Sequence, residues 1–218
     1  MRAFAGLLAA LVLAPCLSGC ALFGLWHRVD RDYLDDVPNE EKLLLFDAEN
    51  GVYIAKDEII SARRAIEEAE RAIDRAEDYG DVIDDRRESG ATIDTPEVLN
   101  LLAQWNDARI ALREIELELA EQRLDTAEVR LYAARARYEQ AKAQLVKDHN
   151  PEEGTSIDIE DFDEQVADAE VDEKEALAAL EEVEVRVTDQ RKKYTDVSRK
   201  LQTVSKGAYG GPWADLID

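Results

Sequence analysis

Leu17-Ser18-Gly19-Cys20 is the stretch whose residue types and spacing point to chemistry. A thiol follows directly on small residues, at the exit of an apolar run from Phe4 to about Pro15 that opens with Arg2. A basic start, a short apolar core and small residues at the exit describe a secretory signal peptide. No second site competes with it. His27 and His149 are the only histidines, and neither has a metal-ligand or acid–base pattern around it. No phosphate loop, nucleophile elbow or dinucleotide fingerprint occurs. Asp81, Asp84 and Asp85 are not spaced as an EF-hand and read as a solvated loop. Elsewhere carboxylates are too common for the spacing of any one pair to carry meaning. The chain reads as a non-enzymatic protein with no cofactor and no metal.

Positions 17–20 resemble the lipobox of bacterial lipoprotein precursors at all four places. The resemblance implies cleavage before Cys20, a diacylglyceryl group on its sulfur and an acyl chain such as palmitate on the new amino group. Cys16 would leave with the signal and Cys20 would be alkylated, so no thiol would remain for a disulfide, a metal or nucleophilic catalysis. Each buried methylene contributes about 0.8 kcal/mol, so two or three acyl chains hold a protein stably where one does not. In enteric bacteria an Asp just after the lipidated Cys favours the inner membrane. Ala21 and Leu22 stand here, which implies the outer membrane, facing the periplasm; the inner membrane and the cell surface stay open. The competing reading is an uncleaved membrane helix, since the stretch from Phe4 to Trp26 is long enough to span.

The elements that would carry this anchor are helical. Of 218 residues 6% are aromatic, and Ala, Glu, Arg, Leu and Asp dominate, the composition of long helices and coiled coils. The predicted organisation is a signal peptide at 1–19, the lipidated Cys and a tether at 20–38, a helical coiled-coil domain at 39–206 and a flexible tail at 207–218. In the tether, Leu22, Phe23, Leu25 and Trp26 suit a membrane interface, and 27–36 is polar and mixed in charge. Asn39 after Pro38 reads as the cap of a first helix, over about 39–80. Leu45, Val52, Ile59, Ile66 and Ile73 recur every seventh place, with Ala48, Ala55, Ala62, Ala69 and Ala76 three after each. Five such heptads require a partner helix. Gly51 costs about 1 kcal/mol there without ending the helix. From Asp78 to Thr95, Gly80, Gly90 and six acids read as a connection or a frayed end.

Thr95-Pro96-Glu97 starts the second helix, over about 96–148, with Thr as cap and Pro at the first position. It spans about 80 Å at the α-helical rise. Its apolar residues form two stripes. Val98, Leu101, Trp105, Ala108, Leu112, Ile115 and Leu119 make one; Leu117, Ala120, Leu124, Ala127, Leu131, Ala134, Tyr138, Ala141 and Leu145 make the other, two residues out of phase. At about 100° per residue the stripes lie on nearly opposite faces, which calls for at least two neighbours. After a loop at 149–156, a third helix over about 157–206 carries an unbroken seam from Ile159 to Val204, interrupted in polarity only by Glu173 and Gln190. Those two either fix register or reach water. The expected fold is all-α, an elongated antiparallel three-helix coiled-coil rod running up, down and up, with an Ala-rich seam in the first helix that faces either its own bundle or a second copy.

The net charge is −23, and loss of residues 1–19 removes only Arg2, leaving −24. That excludes nucleic acid as a partner and disfavours adsorption on anionic lipid. Between Asp148 and Glu173 there are twelve acids and no Lys or Arg, whereas Arg186 to Lys206 holds seven basic residues and two acids. This order suits the helix macrodipole. It also gives the far end a basic surface, in which Arg191, Lys192, Lys193, Arg199 and Lys200, with Trp213 in the tail, are the candidate contacts for an envelope protein or peptidoglycan. Pairing of that basic end with the acidic 78–94 stretch is the alternative.

The runs Ala111–Gln122 and Arg130–Ala143 resemble the periplasmic helical hairpins of outer-membrane efflux and adaptor proteins, without the barrel strands or lipoyl-like halves of those families. The anchored coiled coil is similar to the major outer-membrane lipoprotein, although Leu216-Ile217-Asp218 stands where that family has the Lys that joins peptidoglycan. Three functions follow as expectations. The first is a lipid-anchored spacer or scaffold for an envelope partner, the second an accessory subunit of a transport or secretion machine docking through its hairpin, the third a self-assembling coiled-coil lipoprotein.

Overall fold

The computed structural model describes residues 27–35, 37–90 and 94–210. Those residues are mostly helical, with no strand among them: a 3-10 turn at Arg31–Leu34, then α1 Leu43–Ser89, α2 Pro96–His149, the single turn α3 Pro151–Gly154 and α4 Ile159–Val204. The three long helices pack against each other through the middle one. α2 lies along both α1 and α4, while α1 and α4 have no comparable packing on one another. The two out-of-phase stripes of α2 are the sequence form of this arrangement, because a helix with a neighbour on each side must be apolar on two faces.

Four boundaries differ from the sequence expectation. First, α1 begins at Leu43 and not at a cap on Asn39. Residues 39–42 turn over Pro38, whose carbonyl accepts from the Glu41 and Lys42 N–H groups at 3.0 and 3.1 Å. Second, α1 runs on to Ser89 through the stretch expected to be a connection. Ile83, seven after Ala76, continues the seam and is 1% exposed, in a cluster with Val98, Leu102, Trp105 and Leu201. Burial of one such side chain contributes about 1.5–3 kcal/mol, which outweighs the roughly 1 kcal/mol cost of Gly80. Gly80 has a packing reason as well. The Asn106 amide lies close over it, 3.1 Å from the position of an added Cβ, so a larger residue would have to push it aside, and it donates to the Ala76 carbonyl at 2.8 Å. Gly90, at φ 58°, ends the helix.

Third, the stretch read as a tether is folded from His27 on. Val29, Leu34 and Val37 are buried against Leu45, Ala143, Leu145, Val146 and Phe162, where the start of α1, the end of α2 and the start of α4 meet. Fourth, the tail is likewise folded over its first residues. Gly207 donates to the Gln202 carbonyl at 2.8 Å, and Tyr209 packs on the cluster around Trp105 and Leu201. The α4 seam points inward along its length, with Phe162, Val166, Ala169, Ala176, Val183, Val187 and Leu201 buried. Glu173 is held by two arginines of α2, at 3.6 Å from Arg130 and 3.0 Å from Arg137. Among the described residues no helix is long and apolar enough to cross a membrane.

Candidate functional site

Residues Leu17, Ser18, Gly19 and Cys20 lie outside the described residues, as does Trp213. The described chain enters seven residues after Cys20, and it enters a clasp. The Val29 N–H donates to Glu139 Oε2 at 2.9 Å and the Val29 carbonyl accepts from Lys142 Nζ at 3.2 Å. Glu139 and Lys142 pair with each other at 2.7 Å, and their side chains are about 10% exposed. One turn of α2 thus offers a donor and an acceptor to one residue's backbone, as a neighbouring β-strand would. Gln165 of α4 repeats the pattern at His27. Its Oε1 accepts from the His27 N–H at 3.0 Å and its Nε2 donates to the His27 carbonyl at 3.3 Å. The His27 ring stands edge-on to Phe162 at 5.8 Å, with Asp161 3.7 Å from its Nδ1. Beyond the clasp, the negative charge of Glu153 raises the Tyr33 pKa above the ordinary tyrosine value.

Sequence reading had no signal for Glu139, Lys142 or Gln165. A Glu–Lys pair at i, i+3 is normal on a solvated helix face, and only Val29 and Val37 in the polar stretch hint that it is covered. A lone backbone strand lying on helices must find partners for its N–H and C=O groups, and buried side chains supply them here.

A second feature runs along the middle of the molecule. Because α1 and α4 flank α2 without closing on each other, a groove is left open between them. One part holds about 540 Å³, lined by Ala69 and Ala72 of α1, Leu119 and Ala120 of α2, and Val187 and Arg191 of α4. It continues past Ala65 and Arg123 into a part of about 500 Å³ bounded by Ile54, Ala127 and Leu180. Arg130 crosses that part, 3.3 Å from Glu58 on α1 and 3.6 Å from Glu173 on α4.

The expected basic surface on α4 is divided. Arg191 pairs with Glu116 of α2 at 2.9 Å, Lys192 with Asp189 of its own helix at 3.0 Å, and Lys193 reaches Gln190 at 3.4 Å. Arg199 and Lys200 are exposed and have no ion-pair partner among the described residues. Asp94, in the stretch offered as an alternative partner for this end, accepts from the Tyr209 hydroxyl at 2.8 Å. Among the described residues no group of three or more His, Cys, Asp or Glu is placed to hold a metal ion.

No protein-family model, curated protein or solved structure matches the chain.

Proposed function

We propose that the chain is a non-enzymatic envelope lipoprotein, held in the outer membrane by acyl chains on Cys20 and facing the periplasm, that serves as a helical spacer or scaffold for an envelope partner. In this reading the three long helices stand as an antiparallel rod running up, down and up. The pairings support that order. Glu58, Ala76 and Arg87 of α1 meet Arg130, Asn106 and Asn100 of α2, while Glu118, Arg123 and Gln140 of α2 meet Arg186, Glu184 and Asp163 of α4.

The observation that carries the reading is the clasp on Val29. A tether that only restrains a protein near a bilayer needs no buried ion pair around its backbone. A spacer does, because a loose linker transmits neither distance nor orientation. With His27 and Val29 gripped, only residues 21–26 separate the acyl chains from the packed helices. The acid-rich start of α4 lies at the same end and would be repelled by anionic lipid, which favours a rod standing off the surface. Arg199 and Lys200 lie near the opposite end and are available to an anionic partner such as peptidoglycan or an acidic envelope protein.

Metabolic labelling with a palmitate analogue, followed by fractionation, tests this. The wild-type chain is expected to take up label and sediment with membranes, and Cys20→Ala to lose the label and appear in the soluble periplasmic fraction. An unlabelled wild-type chain, or a Cys20→Ala chain as firmly in the membrane as before, would sink the proposal and favour the uncleaved helix.

Self-assembly is the second reading, favoured by an apolar stripe on α1. Leu43, Phe46, Tyr53 and Ile60 are 57%, 58%, 57% and 49% exposed, and the last three recur every seventh place. Light scattering on a chain lacking residues 1–20 separates the two readings, since a mass that stays monomeric across concentration rejects self-assembly.

A further inference from the structure

The course of the chain after α4 bears on what would fill the groove between α1 and α4. After α4 ends at Val204 the chain does not continue outward; it turns and comes back. The Gly207 N–H donates to the Gln202 carbonyl at 2.8 Å, the Tyr209 N–H to Ser205 Oγ at 3.1 Å, and the Gly210 carbonyl accepts from Ser198 Oγ at 2.9 Å. The last of these contacts lies four residues further back along α4 than the first and seven further back than the second. Gly210 is pressed onto the helix at φ 72°, and a Cβ there would stand 2.6 Å from the Ser198 carbonyl oxygen, so the approach requires glycine.

The side of α4 on which this happens is informative. Ser198, Leu201 and Gln202, which Gly210 touches, each lie fourteen residues after Glu184, Val187 and Thr188, which line the groove. Fourteen residues are two heptads, so the two sets share one side of the helix. The described chain therefore stops on the groove side, running toward the groove. From Ser198 back to Arg191 is about 10 Å of helix, and from Leu201 back to Val187 about 21 Å. The eight residues from Gly211 to Asp218 can span roughly 26 Å when extended.

Between the turn and the groove stands an aromatic layer contributed by all three long helices. Tyr79 of α1 and Tyr194 of α4 each lie 6.0 Å from the Trp105 ring of α2. Trp105 is 3% exposed, and its buried indole N–H has no acceptor among the described residues. Buried donors are seldom left so, and a segment crossing this layer would bring backbone carbonyls past it.

We propose that residues 211–218 continue along α4 and dock in the three-helix groove, with Trp213 on the Tyr79–Trp105–Tyr194 layer and Leu216 and Ile217 between Ala69 and Ala72 on one wall and Val187 on the other. The chain's reach supports the assignment. In an extended chain Trp213 would come about 10 Å beyond Gly210, level with Tyr194 and Arg191, and Leu216 about 20 Å beyond, level with Val187. The groove is then a cis-occupied surface, and the tail is a fourth strip of the helical assembly. This inference does not depend on lipidation of Cys20.

The test uses the full chain, with a benzophenone residue in place of Trp213. Isotopically labelled and unlabelled protein are mixed before irradiation, and the crosslinked peptides are mapped. Links within one chain, to 65–79 of α1 or 184–194 of α4, are expected. Links only between labelled and unlabelled chains would assign the groove to a second copy, and links elsewhere or none would place the tail outside it; either result overturns the proposal. A second measurement reads the wall directly. In an Ala69→Cys chain, alkylation of the peptide carrying position 69 should rise severalfold on removal of 211–218, and rise in the same direction with Trp213→Ser. An unchanged rate in both rejects tail docking.

Discussion

Glu139 and Lys142, one turn apart on α2, pair at 2.7 Å in the interior, and each spends a further hydrogen bond on the backbone of Val29, more than a hundred residues away in sequence. The pair and the strap are therefore one unit. Neither charge is solvated well enough to stand alone, and the Val29 peptide groups have no other partner of this kind.

Removing one charge from this unit leaves the other buried. Glu139→Ala is expected to destabilise the fold by about 3–5 kcal/mol, the usual cost of orphaning one member of a buried ion pair. The double change Glu139→Met with Lys142→Met should recover much of that loss in urea unfolding, because no charge is then stranded. It should not recover the strap. Proteolytic nicking within 27–37 is expected to rise in both variants, and a double variant as resistant as wild type would show that apolar packing of Val29, Leu34 and Val37 suffices.

The two glycines inside α1 should respond in opposite directions. Nothing lies within 4 Å of a Cβ built at Gly51, so Gly51→Ala should stabilise the chain by up to about 1 kcal/mol through helix propensity. At Gly80 the Asn106 amide is 3.1 Å from that position. Gly80→Val should displace it, break its bond to the Ala76 carbonyl and cost roughly 1–3 kcal/mol. Equal shifts in melting temperature for the two variants would contradict this packing.

Ala136 and Ala169 are both 0% exposed, in the contact between α2 and α4. No space exists there for a larger side chain without moving the helices apart. Ala136→Leu should cost roughly 1–3 kcal/mol despite its gain in hydrophobicity. A raised melting temperature would mean that the two helices can separate freely at this level.

The turn after α4 should loosen at high pH. Burial, and then the hydrogen bond to Asp94, holds the Tyr209 pKa above the ordinary tyrosine value. A pKa raised in the folded state means that the protonated hydroxyl is the stabilising form. Its contribution is whole below the unfolded value of about 10 and is lost as pH rises through the higher folded value. Hydrogen exchange at Gly207–Gly210 should therefore quicken in alkali in the wild-type chain. In Tyr209→Phe it should be faster at neutral pH and lack that alkaline step. Identical profiles would remove the Tyr209–Asp94 bond from the account.

Local periodicity made much of the helical architecture legible. Ile59, Ile66 and Ile73 with Ala55, Ala62 and Ala76 announce one packed face of α1, because positions seven apart in a helix share a side whatever surrounds them. The two phases on α2 announced two neighbours for the same reason, and the start of that helix was readable in Thr95 and Pro96, whose capping geometry involves only the next few residues. What the spacing could not show were contacts that close over long stretches of chain. Acids and two glycines made 78–94 look like a loop, whereas Ile83, buried in one cluster with Leu102 and Leu201, ties it into a helix that runs to Ser89. Val29 looked like part of a polar tether until Glu139 and Lys142 were brought under it. Gly207–Gly210 looked like the start of a free tail until Ser198 and Asp94 met it. Each of these was decided by the tertiary structure, because a hydrogen bond or buried contact between distant residues leaves no period in the sequence of either partner.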